Sequence, residues 1–312
     1  MKFAHKSLVA VAAFLALGAA QAETLTVGGT LTDTASNGTQ WTLSNLSGNG
    51  TLNFSDQLIS ALNTAKVGLT QVNPATLVAP KDANNNYLKA VDSNGDGVKE
   101  AQVYAAAPVQ ALGGNFDGNT LSVSTVVTAG GAQQITVKNG ATTGAGNLTI
   151  SNLRVEIGDR AGFAGTIYAD LSSTTAGFTN RTSYALWTFD ELRGPTTFSV
   201  PSPEATTVFN VANSLHGLFF VNQTEGLDLF AQALALNATI GKPALKGVDN
   251  RASTTNIDPL TGKVAGFGWI TSTISVTATP QTVTPAVPEP STYALMGVGL
   301  VGLAMVARRK AK

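Results

Sequence analysis

The sequence predicts a mainly β protein: an antiparallel sandwich or barrel-like ectodomain with one or two short helices, an N-terminal signal peptide and a C-terminal transmembrane helix. Three observations carry this. Short stretches rich in Val, Ile and Thr recur, often alternating with polar residues and bounded by Gly, Asn and Asp. Charged residues make up only 12% of the 312-residue chain, against roughly 25% in an average soluble domain, which leans towards an extracellular surface rather than a cytosolic enzyme. There is no cysteine, so disulfides, thiolate metal sites and cysteine nucleophiles are all excluded, and oxidative export costs the chain nothing.

The first element is "MKFAHKSLVAVAAFLALGAAQAE". Its basic start, apolar stretch from Leu8 to Leu17 and Ala20-Gln21-Ala22 ending form a secretory signal peptide over residues 1–22, with cleavage between Ala22 and Glu23. The formal net charge of zero hides an asymmetry. Lys2, Lys6, Arg308, Arg309, Lys310 and Lys312 lie at the two ends, leaving 13 basic residues against 19 acidic ones between them, a balance of about −6. Nucleic acid and anionic membrane surfaces are therefore poor partners, whereas divalent cations fit.

The ectodomain is expected over residues 23–276. Strand patterns occur in "TLTVGGTLTD", "QWTLSNLSG", "TLSVSTVVTAG", "AQQITVKNG", "NLTISNLRVEIG", "GTIYADLS", "TSYALWTFDEL", "TTFSVPS" and "FGWITSTISVTAT". Lys138–Ala141 and Gly113–Gly118 read as tight turns. Two segments read as helices. In "FSDQLISALNTAKV" Ser55 is placed to cap, Phe54 and Ile59 to form a hydrophobic staple, and Leu58, Ile59 and Leu62 share a face. In "TEGLDLFAQALAL" Leu227, Phe230 and Leu234 do the same.

The strongest chemical motif is "VDSNGDGVKEAQV". Asp92, Asn94 and Asp96 fall at positions 1, 3 and 5 of a calcium loop, with Gly97 at 6 and Glu100 at 9. Position 12 is Val103 instead of the bidentate Glu, so the stretch resembles only the first half of an EF-hand or dockerin-type loop. An Asn/Asp/Gly turn is the alternative reading, and Asp82 is the nearest upstream carboxylate.

Catalytic patterns are weaker. Beyond the signal peptide His216 is the one histidine, and no serine stands in G-x-S-x-G. Asp190 and Glu191 are adjacent, so a strand would point them to opposite faces. Trp41, Trp187 and Trp269 suit either a sugar-stacking platform or the core, and burial is the commoner fate of aromatics.

Residues 277–286 are Thr/Pro-rich and read as a linker. Beyond them "VPEPST" precedes a charge-free run from Tyr293 to Ala307 and the basic Arg308-Arg309-Lys310. At 1.5 Å per residue that run spans about 22 Å, enough for a short transmembrane helix with local thinning. The basic residues act as a stop-transfer signal that stays cytoplasmic. Residues 287–312 resemble the PEP-CTERM sorting signal of exopolysaccharide-producing Gram-negative bacteria, with Pro288, Glu289 and Pro290 as the motif. The resemblance implies recognition by an exosortase, passage through the inner membrane as an intermediate, removal of the tail and delivery to the cell surface or matrix. The expectation is thus an exported structural or adhesive protein without catalysis, for which exopolysaccharide is a fitting partner. The alternatives are a carbohydrate-active enzyme or a calcium-dependent sugar-binding module.

Overall fold

Strand β3 (Gln40–Phe54) shows how the apolar pattern is turned into a wall. Trp41, Leu43, Leu46 and Phe54 are buried along it while Asn45, Ser47 and Asn49 face solvent. The inward period breaks at Asn45, whose φ is 53°, and the pairing with the last strand shifts by one residue there. That bulge keeps both Leu43 and Leu46 facing inward. The computed structural model describes residues 23–200 and 205–281. Ahead of β3 come β1 (Glu23–Thr26) and β2 (Leu31–Thr34). After it follow α1 (Asp56–Thr64), β4 (Gly68–Val72), β5 (Thr76–Val78), β6 (Tyr104–Phe116), β7 (Thr120–Thr128), β8 (Gly131–Thr136), β9 (Gly146–Ile157) and β10 (Gly165–Ser172). The chain continues as β11 (Arg181–Arg193), β12 (Thr197–Ser199), β13 (Thr207–Phe220), α2 (Gln223–Ala233), α3 (Gly241–Val248) and β14 (Gly268–Gln281).

Strands β3, β6, β7, β9, β10, β11, β13 and β14 each pair antiparallel with the next. β14 returns to β3 over nearly its whole length, so the sheet closes into an up-and-down barrel. The weakest seam is β7–β9, which holds through Thr125↔Glu156, Val126↔Val155 and Val127↔Arg154 alone. Beyond it β9 pairs with β8, and β8 with β4. At the opposite end β12 pairs with β7, and the first half of β13 pairs only with β14, giving a sandwich-like mouth.

Helix α1 forms as its sequence dictates. The Ser55 hydroxyl accepts from Leu58 N at 3.2 Å, and Leu58, Ile59 and Leu62 are buried. Asn222 caps α2 through Glu225 N. A third helix, α3, exceeds the one or two expected. Its Pro243 sits in the first turn, where a missing N–H is harmless, and its start is held by Asn237 Oδ1, which accepts from Ile240 N and Gly241 N.

The structure departs from the expected elements elsewhere. β6, "YAAAPVQALGGNF", lacks strand propensity yet is a central strand, because its Ala and Gly residues fit where β1, β3, β5 and β7 crowd it. Gly113–Phe116 therefore belongs to β6, and the turn lies at Asp117, whose Oδ1 accepts from Asn119 N and Thr120 N. β14 runs to Gln281 with Val276 and Ala278 buried, so 277–281 is wall rather than linker. The expected signal peptide, the rest of the expected linker, the sorting motif and the expected transmembrane helix 293–307 lie outside the described residues. Among those described, no helix is long and apolar enough to cross a membrane.

Candidate functional site

The loop between β5 and β6 brings together the carboxylates singled out by spacing. A two-bond bridge between Val91 and Glu100 closes its base, at 3.1 and 2.8 Å. Inside it Asp92 Oδ1 accepts from Gly95 N at 2.6 Å and Oδ2 from Gly97 N at 2.9 Å. Both glycines have positive φ, 76° and 85°, which a side chain would resist. Asn94 Oδ1 accepts from Asp96 N, and Asp96 Oδ1 from Val98 N. Glu100 Oε2 accepts from Ser93 N at 2.9 Å and Ser93 Oγ at 2.8 Å. As a result one oxygen from each of Asp92, Asp96 and Glu100 lies within 4.8 Å of the others.

Such convergence suits a hard divalent cation, which takes oxygen ligands and offsets the mutual repulsion of the carboxylates. Asn94 donates from Nδ2 to Asp96 Oδ2 at 3.1 Å and is thereby drawn into the same group. Val103, at the twelfth position, is 1% exposed and part of the core, so it contributes no ligand. Asp82 is committed to its own turn, where its Oδ1 accepts from Asn84 N and Asn86 N at 2.9 Å. The bond from Asn86 leads in pushing its carboxyl below the ordinary value.

His216 is buried on β13, and its neighbours were not legible from spacing. Its Nδ1 lies 2.6 Å from Asp258 Oδ2, and its Nε2 lies 2.8 Å from Ser214 Oγ. Ser214 and His216 share a strand face through the period of two, which is the signal that sequence carried; Asp258 arrives from the loop before β14, far along the chain. The order Ser–His–Asp matches a nucleophile relay. Ser214, however, is paired inside the sheet with Arg193 on one side and Thr271 on the other, not raised on a nucleophile elbow. The chain of bonds ties the 256–266 loop to β13, with Asp258 Oδ1 also accepting from Leu260 N at 2.8 Å.

Asp190 and Glu191 are each held by cations. Arg251 Nη1 donates to both Asp190 oxygens, at 2.7 and 2.6 Å. Glu191 accepts from Lys263 Nζ at 2.7 Å and from Arg193 Nε, and these bonds hold its carboxyl down to about 2. A carboxyl so anchored is a poor general acid. Trp41, Trp187 and Trp269 are 1%, 2% and 5% exposed, so they are core residues and form no stacking platform.

One comparison with known proteins finds a match, and it is confined to the C-terminal segment. Residues 286–310 match the PEP-CTERM protein-sorting motif. The match covers the segment that contains Pro288, Glu289, Pro290 and the Arg308-Arg309-Lys310 cluster. A PEP-CTERM motif implies exosortase-dependent processing of an exported protein and sorting through the membrane to the cell surface. No curated protein and no solved structure matches the chain.

Proposed function

We propose that this is a structural or adhesive protein of the cell surface or extracellular matrix, delivered when an exosortase acts on its PEP-CTERM tail. The match over 286–310 carries the reading. Prolines at 288 and 290 support it physically, since a residue with fixed φ and no N–H fits a helix interior poorly. Thr- and Asn-rich strands with few charges suit a matrix-facing wall. Export with cleavage before Glu23 would start the mature chain on β1, whose Leu25 is fully buried against the barrel. No catalytic role is part of the proposal, and the anchored Asp190 and Glu191 and the buried tryptophans lend the carbohydrate-active alternative little.

Intact mass of the protein taken from the surface of its host tests this. A species that begins at Glu23 and ends near Pro290 supports it; one that still ends at Lys312 in the inner membrane overturns the processing step. Glu289→Ala should shift the protein from the first species towards the second.

A calcium-dependent module is the second reading, favoured by the convergence of Asp92, Asp96 and Glu100. Millimolar calcium should then raise Tm, and Asp96→Ala should remove the rise. A Tm indifferent to calcium in the parent protein would remove this reading and leave an Asx-turn loop.

A further inference from the structure

The interior of the barrel is unevenly filled. A cavity of about 100 Å³ lies within it, walled by residues of β3, β6, β7, β8, β9, β11, β13 and β14. Register explains why. Gly50 of β3 stands opposite Ala107 of β6 on one side and Ser272 of β14 on the other, and Ser272 stands opposite Asn213 of β13. Four neighbouring strands thus place short side chains at one level, whereas the next level on one side carries Leu52, Ile270 and Leu215, and Val109 and Ile274 lie two residues along on the other side. A Cβ added at Gly50 would meet only the Thr128 methyl, at 3.5 Å, so the space in front of it is real.

Two polar atoms on this wall lack partners. Trp187 is 2% exposed, and among the described residues nothing accepts from its indole N–H. Asn213 Oδ1 is likewise buried without a donor. Buried tryptophan N–H groups ordinarily find an acceptor. An apolar cavity of this order stays dry, destabilises the fold when empty, and takes up small guests; an engineered one of roughly 150 Å³ binds benzene.

We propose that the cavity binds a compact apolar molecule, about the size of one aromatic ring or a short alkyl chain, whose hydrogen-bond acceptor meets the Trp187 indole N–H. An eight-stranded barrel is just wide enough either to be filled by side chains or to hold one small ligand. Gly50, Ala107 and Ser272 select the second outcome. The way in is the fork where β9 exchanges β7 for β8, since half-buried Ala132 and Gln134 of β8 line the cavity there.

The test titrates protein recovered without detergent from the exporting host with toluene and with acetophenone, read by thermal unfolding and tryptophan fluorescence. Both probes should raise Tm saturably. Acetophenone should bind roughly 3- to 10-fold more tightly through its carbonyl, and Trp187→Phe should erase that preference while sparing toluene. Gly50→Leu should fill the row and abolish both, with a Tm no lower than that of the ligand-free parent. Ala107→Leu serves the same purpose from the neighbouring strand should Gly50→Leu not fold. Absence of saturable binding in the parent, or binding that survives both filling substitutions, overturns the proposal. Equal affinity for the two probes overturns the role given to Trp187.

Discussion

The two ends of the barrel are closed by different means. At one end α1, α2 and α3 lie over the opening, and Phe267 touches the rings of Trp187, Phe220 and Phe230 at centroid distances of 5.6, 4.6 and 6.3 Å. At the other, strands alone enclose Leu25, Trp41, Phe116, Phe198 and Val276, and the ring contact there is Phe198 against Phe209 at 5.8 Å. Segments long enough to fold into helices enter between β3 and β6 and between β13 and β14, both at the same end. A lid made this way adds a packed layer, whereas the strand-only end relies on β1, β2 and β12, each three or four residues long. Such short edge strands leave little unpaired backbone for another chain to extend.

Phe267→Ala should break the lid hardest, by about 4–5 kcal/mol in chemical denaturation, because a buried ring and its cavity are lost together. If Phe198→Ala costs as much, the aromatic layer contributes nothing beyond burial. Leu25→Ala should cost about 2–4 kcal/mol. It should also release β1 locally, so that hydrogen exchange accelerates at 23–26 and at Ala111–Gly114, its partners, while the lid stays protected. Faster exchange in the lid as well would show that the two ends unfold as one unit.

Ser55→Ala should cost about 1–2 kcal/mol. It removes the α1 cap and also one of two donors to Gly266 O, at 2.7 Å, a bond that joins the lid to the loop before β14. A loss below that of an exposed cap would indicate that Asn256 Nδ2, which also donates to Gly266 O at 2.8 Å, satisfies that carbonyl by itself.

The smallest effect concerns Glu191. Lys263 and then Arg193 depress its carboxyl from 4.5 to about 2, so the folded value lies below the unfolded one. The stabilisation is therefore present above about pH 4.5 and lost as pH falls towards 2. Lys263 is 69% exposed, which keeps the gain below about 1 kcal/mol. Comparing Tm with Glu191→Gln along an acid series should show the parent's advantage shrinking through that window; a constant difference would place the effect elsewhere.

Much of the fold was legible where neighbours in the chain suffice. Ser55 ahead of Leu58, Ile59 and Leu62 defined α1, and the alternation in "GTIYADLS" and "FGWITSTISVTAT" defined β10 and β14. β13 was harder to read, because Asn210, Ala212 and Asn213 interrupt its pattern and the pairing with β14 supplies what propensity lacks. Of the candidate site, the spacing of Asp92, Asp96 and Glu100 foretold their convergence, since ten residues closed on themselves leave little freedom. The partnership of His216 with Asp258 had no such signal, because 42 residues separate them.

By itself the sequence determined where the protein is sent and how its local elements begin. A sorting tail and a helix cap act through consecutive residues, and a receptor or a single turn reads them without any fold. Tertiary structure alone decided that the sheet would close on itself, and that Ala107, Gly50, Ser272 and Asn213 would share one level. Cross-strand register fixes both, and it depends on long-range pairing and on bulges such as that at Asn45, which shift a whole strand against its neighbour.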